Sequence, residues 1–139
     1  MKLFGAMEIE SNELCIGGIS CSDLVKEFGS PLYVMDENLL ISTCKSYYDN
    51  FKCKENHNRV AYAGKAFLTK AMCKLVNEQG LYLDVVSGGE LFTAYKAGFP
   101  LNKVYFHGNN KSRGEIELGV KLGVGRFVVD NLDEMKMLN

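Results

Sequence analysis

The sequence is poor in several residue types, and each shortage argues against a class of protein. It has no tryptophan, 2 prolines and 2 histidines in 139 residues, and its 5 cysteines form no C-x-x-C pair. Zinc sites usually need closely spaced cysteines and histidines, so we expect no metal centre. No apolar run is long enough for a membrane-spanning helix, and no segment resembles a signal peptide. The odd number of cysteines, together with these absences, favours a reducing, cytoplasmic setting.

The charges are balanced and evenly spread. The chain has 16 Lys and Arg residues, 17 Asp and Glu residues and no basic cluster. Binding to nucleic acid or to an anionic membrane needs a basic surface, so we expect neither partner. The hydrophobic fraction of 47% is typical of a globular domain with a packed core. A small molecule or another protein is the partner that we expect.

The first part of the chain predicts a few short elements. Leu14–Ile19 indicates a strand that runs into a turn, Ser22–Phe28 a short helix, and Leu32–Met35 a second strand. Asp36 is placed to cap a longer helix. The apolar stripe predicted for that helix consists of Leu40, Cys44, Tyr47 and Phe51.

The rest of the chain repeats a strand followed by a helix, with a spacing of about 22 residues. The strand-like runs begin near Val60, Leu81, Val104 and Arg126. Three capping sequences of the form S/N-x-x-E mark helix starts at Ser87–Glu90, Ser112–Glu115 and Asn131–Glu134. Strands joined by single helices run parallel, so the sequence predicts an α/β fold. Periodicity alone does not choose between a doubly wound sheet and a (β/α)8 barrel.

The apolar run from Arg59 to Phe67 contains one lysine near its end. Its small and aromatic residues suit a buried strand that delivers Lys65 to the strand's end. There we expect the amine to be partly desolvated, which favours its neutral form and allows it to form an imine with a carbonyl cofactor. The alternative is a solvated lysine that opens the next helix. The preceding segment, Lys52–Asn58 with His57, predicts a solvated loop.

Polar residues also follow the other predicted strands at their carboxyl ends. They are Asp84, Ser87, His107, Asn109, Asn110, Lys111 and Asp130. In both candidate architectures this edge of the sheet carries the active site, so we expect Lys65, Asp84, Ser87 and His107 to converge there. The alternative for Ser87, Ser112 and Asp130 is that they are ordinary loop and capping residues.

Three of these segments resemble motifs of the diaminopimelate decarboxylase family. They are Tyr62–Ala66 (YAGKA), Leu83–Leu91 (LDVVSGGEL) and Phe106–Ser112 (FHGNNKS), and Gly29–Val34 and Gly123–Asp130 fit the same family. The resemblance extends from about Leu14 onward. Ornithine and arginine decarboxylases and alanine racemase share the lysine motif but are less similar to FHGNNKS. Many family members have a larger residue where this chain has Gly64.

The resemblance implies a partial (β/α)8 barrel of the alanine racemase type, comprising about its first half. Residues 1–30 would belong with a second, β-rich domain that the chain lacks, and residues 31–139 would begin the barrel. It also implies that the cofactor is pyridoxal 5'-phosphate, that Lys65 is its imine-forming, catalytic residue, and that no metal is involved. By the same resemblance Asp84, Glu90 and His107 lie near the cofactor.

The activity implied by the resemblance is decarboxylation of meso-2,6-diaminopimelate to L-lysine and CO2, the last step of lysine biosynthesis. The chain would be an N-terminal part that is inactive by itself, from an enzyme that is a homodimer when complete. The alternatives are a basic amino-acid decarboxylase of the ornithine or arginine type, a racemase of the same fold, or a non-catalytic pyridoxal-phosphate-binding protein. A doubly wound ligand-binding module would need a glycine-rich phosphate turn, for which Gly17–Gly18 is too short.

Overall fold

The computed structural model describes residues 2–51 and 58–139, so the predicted loop with His57 lies outside the described residues, apart from Asn58. The backbone contacts divide the chain into two compact units, Met1–Ser46 and Tyr47–Asn139. The domain boundary that we expect after residue 30 stays a prediction. Within the described ranges, no helix combines the length and the apolar character that crossing a membrane requires.

The first unit contains a small antiparallel sheet and a helix. Its strands are β1 (Met7–Glu10), β2 (Glu13–Ile16) and β3 (Ile19–Ser20), paired in that order, and α1 (Cys21–Phe28) follows directly. The side chain of Ser20 caps α1 by accepting the Ser22 N–H at 3.1 Å. The predicted strand and short helix therefore form, with Gly17 and Gly18 in the turn between β2 and β3.

The next helix, α2 (Glu37–Asn50), begins where the sequence predicts but buries less than expected. Asp36 caps it, since its Oδ1 accepts the Leu39 N–H at 2.6 Å. Cys44 is the buried member of the predicted stripe among the described residues, whereas Tyr47 and Phe51 are more than 60% exposed. The predicted strand Leu32–Met35 is wrong: apolar side chains favour a strand, but this segment has no strand pairing in the described chain.

The second unit is built on four parallel strands that pair in sequence order, as the repeat predicts. The strands are β4 (Ala61–Ala63), β5 (Tyr82–Val85), β6 (Val104–Phe106) and β7 (Arg126–Phe127). The helices between and after them are α3 (Lys70–Glu78), α4 (Gly88–Lys96), α5 (Arg113–Leu122) and α6 (Leu132–Leu138), each packed on the next. Right-handed crossovers between strands in sequence order place every helix on the same face, which is the arrangement of a barrel wall.

The packed core lies between the sheet and these helices. Its fully buried side chains are Cys73, Val76, Leu83, Val85, Leu91, Val104, Phe106 and Ile116. Side chains alternate across a strand, so the neighbours of Leu83 and Val104 project from the opposite face of the sheet. There Tyr82 and Tyr105 pack with their ring centroids 5.8 Å apart. The guanidinium carbons of Arg59 and Arg126 lie 5.2 and 5.3 Å from these rings, so a row of cations and aromatic rings crosses the amino end of the sheet.

A glycine sets the distance between α5 and the sheet. A Cβ added at Gly119 would come within 2.7 Å of Phe127 Cζ and 3.2 Å of Phe106 Cδ1. We therefore expect Gly119→Ala to lower the free energy of unfolding by about 1–3 kcal/mol, because the rings cannot retreat from a packed core.

The matched control is Gly114→Ala in the same helix. Apart from its chain neighbours and the backbone of its own helix, no atom of the described residues lies within 4 Å of the Cβ position at Gly114. Alanine there should leave the stability unchanged or raise it by up to about 1 kcal/mol, through its greater helix propensity. Equilibrium unfolding in urea measures the free energy of unfolding of both variants and of the parent protein. Equal effects of the two substitutions would show that the close packing at Gly119 is unimportant.

Candidate functional site

The candidate site lies at the carboxyl edge of the parallel sheet. Lys65 occupies the 3-10 turn Gly64–Ala66 directly after β4. Asp84 is in β5, where its register partners are Ala63 of β4 and Tyr105 of β6. His107 follows β6, and its N–H continues the ladder by donating to Val85 O at 2.8 Å. Parallel pairing thus brings these side chains to one edge of the sheet.

The structure brings Asp84 and His107 into direct contact. Nδ1 of His107 lies 2.5 Å from Oδ1 of Asp84, and the two side chains are 47% and 21% exposed. A carboxylate beside Nδ1 favours a proton on that nitrogen and fixes the orientation of the ring. Nε2 is then the ring nitrogen that remains able to hydrogen-bond a ligand at this edge of the sheet. The two residues are 23 positions apart in the sequence, and the βα repeat is what predicts their meeting.

Lys65 lies at the same edge but differs from expectation in its surroundings. We expect a partly desolvated amine, whereas the residue is exposed, so that prediction is wrong for the described chain. The 3-10 turn carries Lys65 beyond the end of β4, so the packed core does not cover it. Within the described residues it forms no hydrogen bond or ion pair with Asp84 or His107. Its amine is therefore accessible to a ligand.

The glycine beside this lysine allows a close approach of two strand ends. Gly64 is buried, and a Cβ there would lie 3.0 Å from the carbonyl oxygen of Asp84 and 3.3 Å from Leu68 Cδ2. A larger residue here would require the turn and β5 to separate by a few tenths of an ångström. Gly64 therefore sets how closely the Lys65 turn approaches Asp84.

Ser87 and Glu90 are engaged at the start of α4. The Ser87 hydroxyl accepts the Glu90 N–H at 3.3 Å, which confirms its predicted capping role. Oε2 of Glu90 accepts the Val86 N–H at 2.5 Å, so the carboxylate folds back onto the end of β5. This geometry gives both residues a structural task. A direct role for Glu90 at a cofactor stays a prediction.

Glu115 forms a link between neighbouring helices that the sequence motif does not reveal. Its Oε2 accepts the N–H and hydroxyl of Ser112 at 2.9 and 2.8 Å, completing the predicted capping box of α5. Its Oε1 reaches across to accept the Gly88 N–H at 2.7 Å. These bonds, the one from Gly88 first, lower the pKa of the Glu115 carboxyl from its ordinary value of 4.5. The ionised carboxylate thus joins the first turns of α4 and α5.

Lys111 is the second departure from expectation at this edge. The sequence places it among the polar loop residues, but its side chain is 0% exposed and pairs with Glu134 at 2.7 Å. Glu134 belongs to the predicted capping sequence Asn131–Glu134. That sequence does cap α6, because Asn131 Oδ1 accepts the Glu134 N–H at 2.8 Å. The S/N-x-x-E pattern therefore predicts the caps correctly but not the longer-range partners of the glutamates.

Four parallel strands in sequence order, each followed by a helix, are the arrangement of an α/β-barrel wall, and its carboxyl edge here bears a lysine, an imidazole and a carboxylate. Residues 38–139 match the family model described as "Pyridoxal-dependent decarboxylase, pyridoxal binding domain". The chain belongs to this family of pyridoxal-dependent decarboxylases. The fold and family expected from the sequence are confirmed.

Diaminopimelate decarboxylases are among the relatives that the chain resembles. The enzyme of Bacillus methanolicus is 46% identical over 130 residues, which are 94% of this chain and 30% of that protein. The enzyme of Halalkalibacterium halodurans is 48% identical over 123 residues, which are 88% of this chain and 28% of that protein. A crystal structure of diaminopimelate decarboxylase from M. jannaschii in co-complex with L-lysine is 35% identical, with a TM-score of 0.87, over 98% of this chain and 33% of that one. The chain thus spans about a third of the length of these relatives.

The lowered pKa of Glu115 generates a pH-dependent prediction. A carboxyl whose pKa is lowered by folding stabilises the folded state above its unfolded pKa, and this contribution is lost as the pH falls through the folded pKa. Glu115→Gln should therefore lower the free energy of unfolding by about 1–2 kcal/mol at pH 7. The difference from the parent protein should shrink as the pH falls below the ordinary value of 4.5.

Glu117→Gln in the same helix is the control. Glu117 is exposed, and its substitution should change the free energy of unfolding by no more than about 0.5 kcal/mol at any pH. Urea unfolding of the three proteins between pH 3 and pH 8 makes the comparison. A Glu115→Gln effect that does not vary with pH would rule out the ionised link between α4 and α5.

Proposed function

We propose that this chain is the N-terminal part of the barrel of a diaminopimelate decarboxylase. The complete protein would remove CO2 from meso-2,6-diaminopimelate to give L-lysine, with pyridoxal 5'-phosphate held by Lys65. The observation that carries the proposal is the accessible amine of Lys65 at the sheet edge that also bears the Asp84–His107 pair. The names of the relatives and the L-lysine complex of one of them support the choice of reaction.

The residues present fit the reactive end of this cofactor. Pyridoxal phosphate supplies, when bound, an aldehyde for an amine and a ring that accepts the electron pair left by CO2. Lys65 offers an exposed primary amine that makes no hydrogen bond or ion pair to Asp84 or His107 in the described chain, so an aldehyde can reach its nitrogen. Asp84 would hold the His107 ring through Nδ1, leaving Nε2 to donate or accept a proton at the edge. Glu90 is proposed to lie close by, although its carboxylate is bonded to the Val86 N–H.

The alternatives share the amine but differ in substrate or in activity. A decarboxylase of the ornithine or arginine type, or a racemase, would use Lys65 in the same way. A non-catalytic relative would bind the cofactor and turn over no amino acid. A lysine/ornithine decarboxylase from Vibrio vulnificus shares the fold at 24% identity, with a TM-score of 0.71, and so supports no choice of substrate. Assay of the complete protein with diaminopimelate, ornithine and arginine separates these functions.

The setting of the proposed enzyme follows from the same assignment. We infer that the complete protein acts on a small amino acid, resides in the cytoplasm and forms a homodimer. A nucleic acid or membrane partner is not part of the proposal, since the charges are balanced. Sedimentation of the complete protein tests the oligomeric state independently of activity.

The assignment of Lys65 predicts the site of a covalent adduct. In the complete protein loaded with pyridoxal 5'-phosphate, borohydride reduction should attach the cofactor to the peptide that contains Lys65, because reduction converts an imine to a stable secondary amine. Peptide mass spectrometry locates the adduct. Lys65→Ala should abolish the adduct, the visible absorbance of the bound cofactor and most of the decarboxylation.

Two lysines on the next helix provide matched controls. Lys70 and Lys74 are exposed on α3, close to Lys65 in sequence but within the helix that follows the turn. Lys70→Ala and Lys74→Ala should keep both the adduct and the activity. An adduct on either of them, or an active Lys65→Ala protein, would refute the assignment.

A further inference from the structure

A buried lysine connects the turn after His107 to the neighbouring strand and helix. The Lys111 side chain is fully buried, and its Nζ donates to Gly108 O at 2.5 Å and to Val128 O at 2.9 Å. The same Nζ lies 2.7 Å from Glu134 Oε1 and 5.8 Å from the centre of the Phe106 ring. One ammonium group thus joins the turn after β6, the segment after β7 and helix α6.

The partner of this lysine is equally buried. The Glu134 side chain is 3% exposed, and its Oε2 accepts the Asp130 N–H at 3.2 Å. Its Oε1 makes no aligned hydrogen bond within the described chain, so its contact with Lys111 is an ion pair. Removing one member of such a pair leaves an uncompensated charge in the interior, which strongly destabilises a protein.

The turn held by Lys111 is fixed from its other side as well. The His107 N–H donates to Val85 O at 2.8 Å. Gly108 has a φ of +108°, and a Cβ there would lie 2.6 Å from Val86 O, so a side chain is excluded on both grounds. The carbonyl that follows is the one that Lys111 binds. The backbone around His107 is therefore held by β5 on one side and by Lys111 on the other.

We propose that Lys111, paired with Glu134, is a positioning residue for His107. It touches neither the Asp84–His107 contact nor Lys65, and acts by fixing the Gly108 carbonyl one residue after the imidazole. Replacing a buried ion pair with uncharged side chains often costs little stability, so stability alone does not require this pair. Instead, the pair holds the backbone around His107, which keeps the imidazole beside Asp84. The proposal rests on the proposed function for its link to the cofactor.

The test separates position from stability in the complete protein. Lys111→Met and Glu134→Gln should each lower the melting temperature, because each leaves one buried charge unpaired. The double variant K111M/E134Q has no unpaired charge and keeps an acceptor for the Asp130 N–H, so it should recover most of that loss. The Gly108 and Val128 carbonyls nevertheless remain without their ammonium donor.

Hydrogen exchange without cofactor is the first measurement. The peptide that covers 106–112 should exchange faster in the double variant, while the α3 peptide 70–78 in the same molecules should not change. Pyridoxal 5'-phosphate titration is the second measurement, and its dissociation constant should rise about tenfold, as for other residues that orient a binding group. Lys136→Met is the control, since it breaks an exposed 2.9 Å ion pair with Asp133 and should alter neither measurement.

Each other outcome overturns the proposal. Equal changes in both peptides, or no change in either, would mean that Lys111 contributes only to general stability. Faster local exchange with an unaltered dissociation constant would mean that the turn does not serve the cofactor. If the double variant does not fold, Lys111→Met alone, which also removes the ammonium donor of the Gly108 and Val128 carbonyls, is used for the same comparison of peptides. Failure of the proposed function is recognised separately, by the absence of a borohydride adduct on Lys65 in the parent protein.

Discussion

Parallel pairing of β4, β5, β6 and β7 is the constraint on which the second unit depends. It forces every strand to end at the same edge, so the helix starts and the polar side chains share one layer of turns. Each helix begins with N–H groups that lack partners within the helix. Ser87, Ser112 and Asn131 satisfy one N–H apiece, and a glutamate three residues later adds a second acceptor. These turns therefore carry both the candidate site and the caps of three helices.

The three glutamates occupy equivalent local positions but have different partners. Glu90 accepts the N–H of the residue that follows β5, and Glu115 accepts an N–H at the start of α4. Glu134 forms an ion pair with the buried Lys111. Their carboxylates are thus committed to the scaffold. At the same edge, Lys65 and the Asp84–His107 pair remain available to a ligand. Because the glutamates hold the backbone and other groups stay accessible, this polar edge is both fixed in shape and open to a ligand.

The sequence predicts the features that depend on neighbouring residues and on the repeat. The capping serines, the strand order and the shared edge of Asp84 and His107 all follow from local patterns and from a single spacing. Contacts between distant residues do not: the Glu115–Gly88 bond spans 27 positions and the Lys111–Val128 bond spans 17. The exposure of Lys65 could not be predicted either, because a strand pattern indicates the face on which a side chain lies but not which residues cover it.

The turns at the carboxyl edge also bear on how such a protein can change over evolutionary time. The turns after β5, β6 and β7 are bonded to one another, and one of them is closed to a side chain at Gly108, which faces Val86. An insertion in one turn would therefore disturb the next as well, whereas a substitution at an exposed position would leave the framework intact. New substrate preferences in this part of the fold should accordingly arise by exchange of side chains at constant loop length.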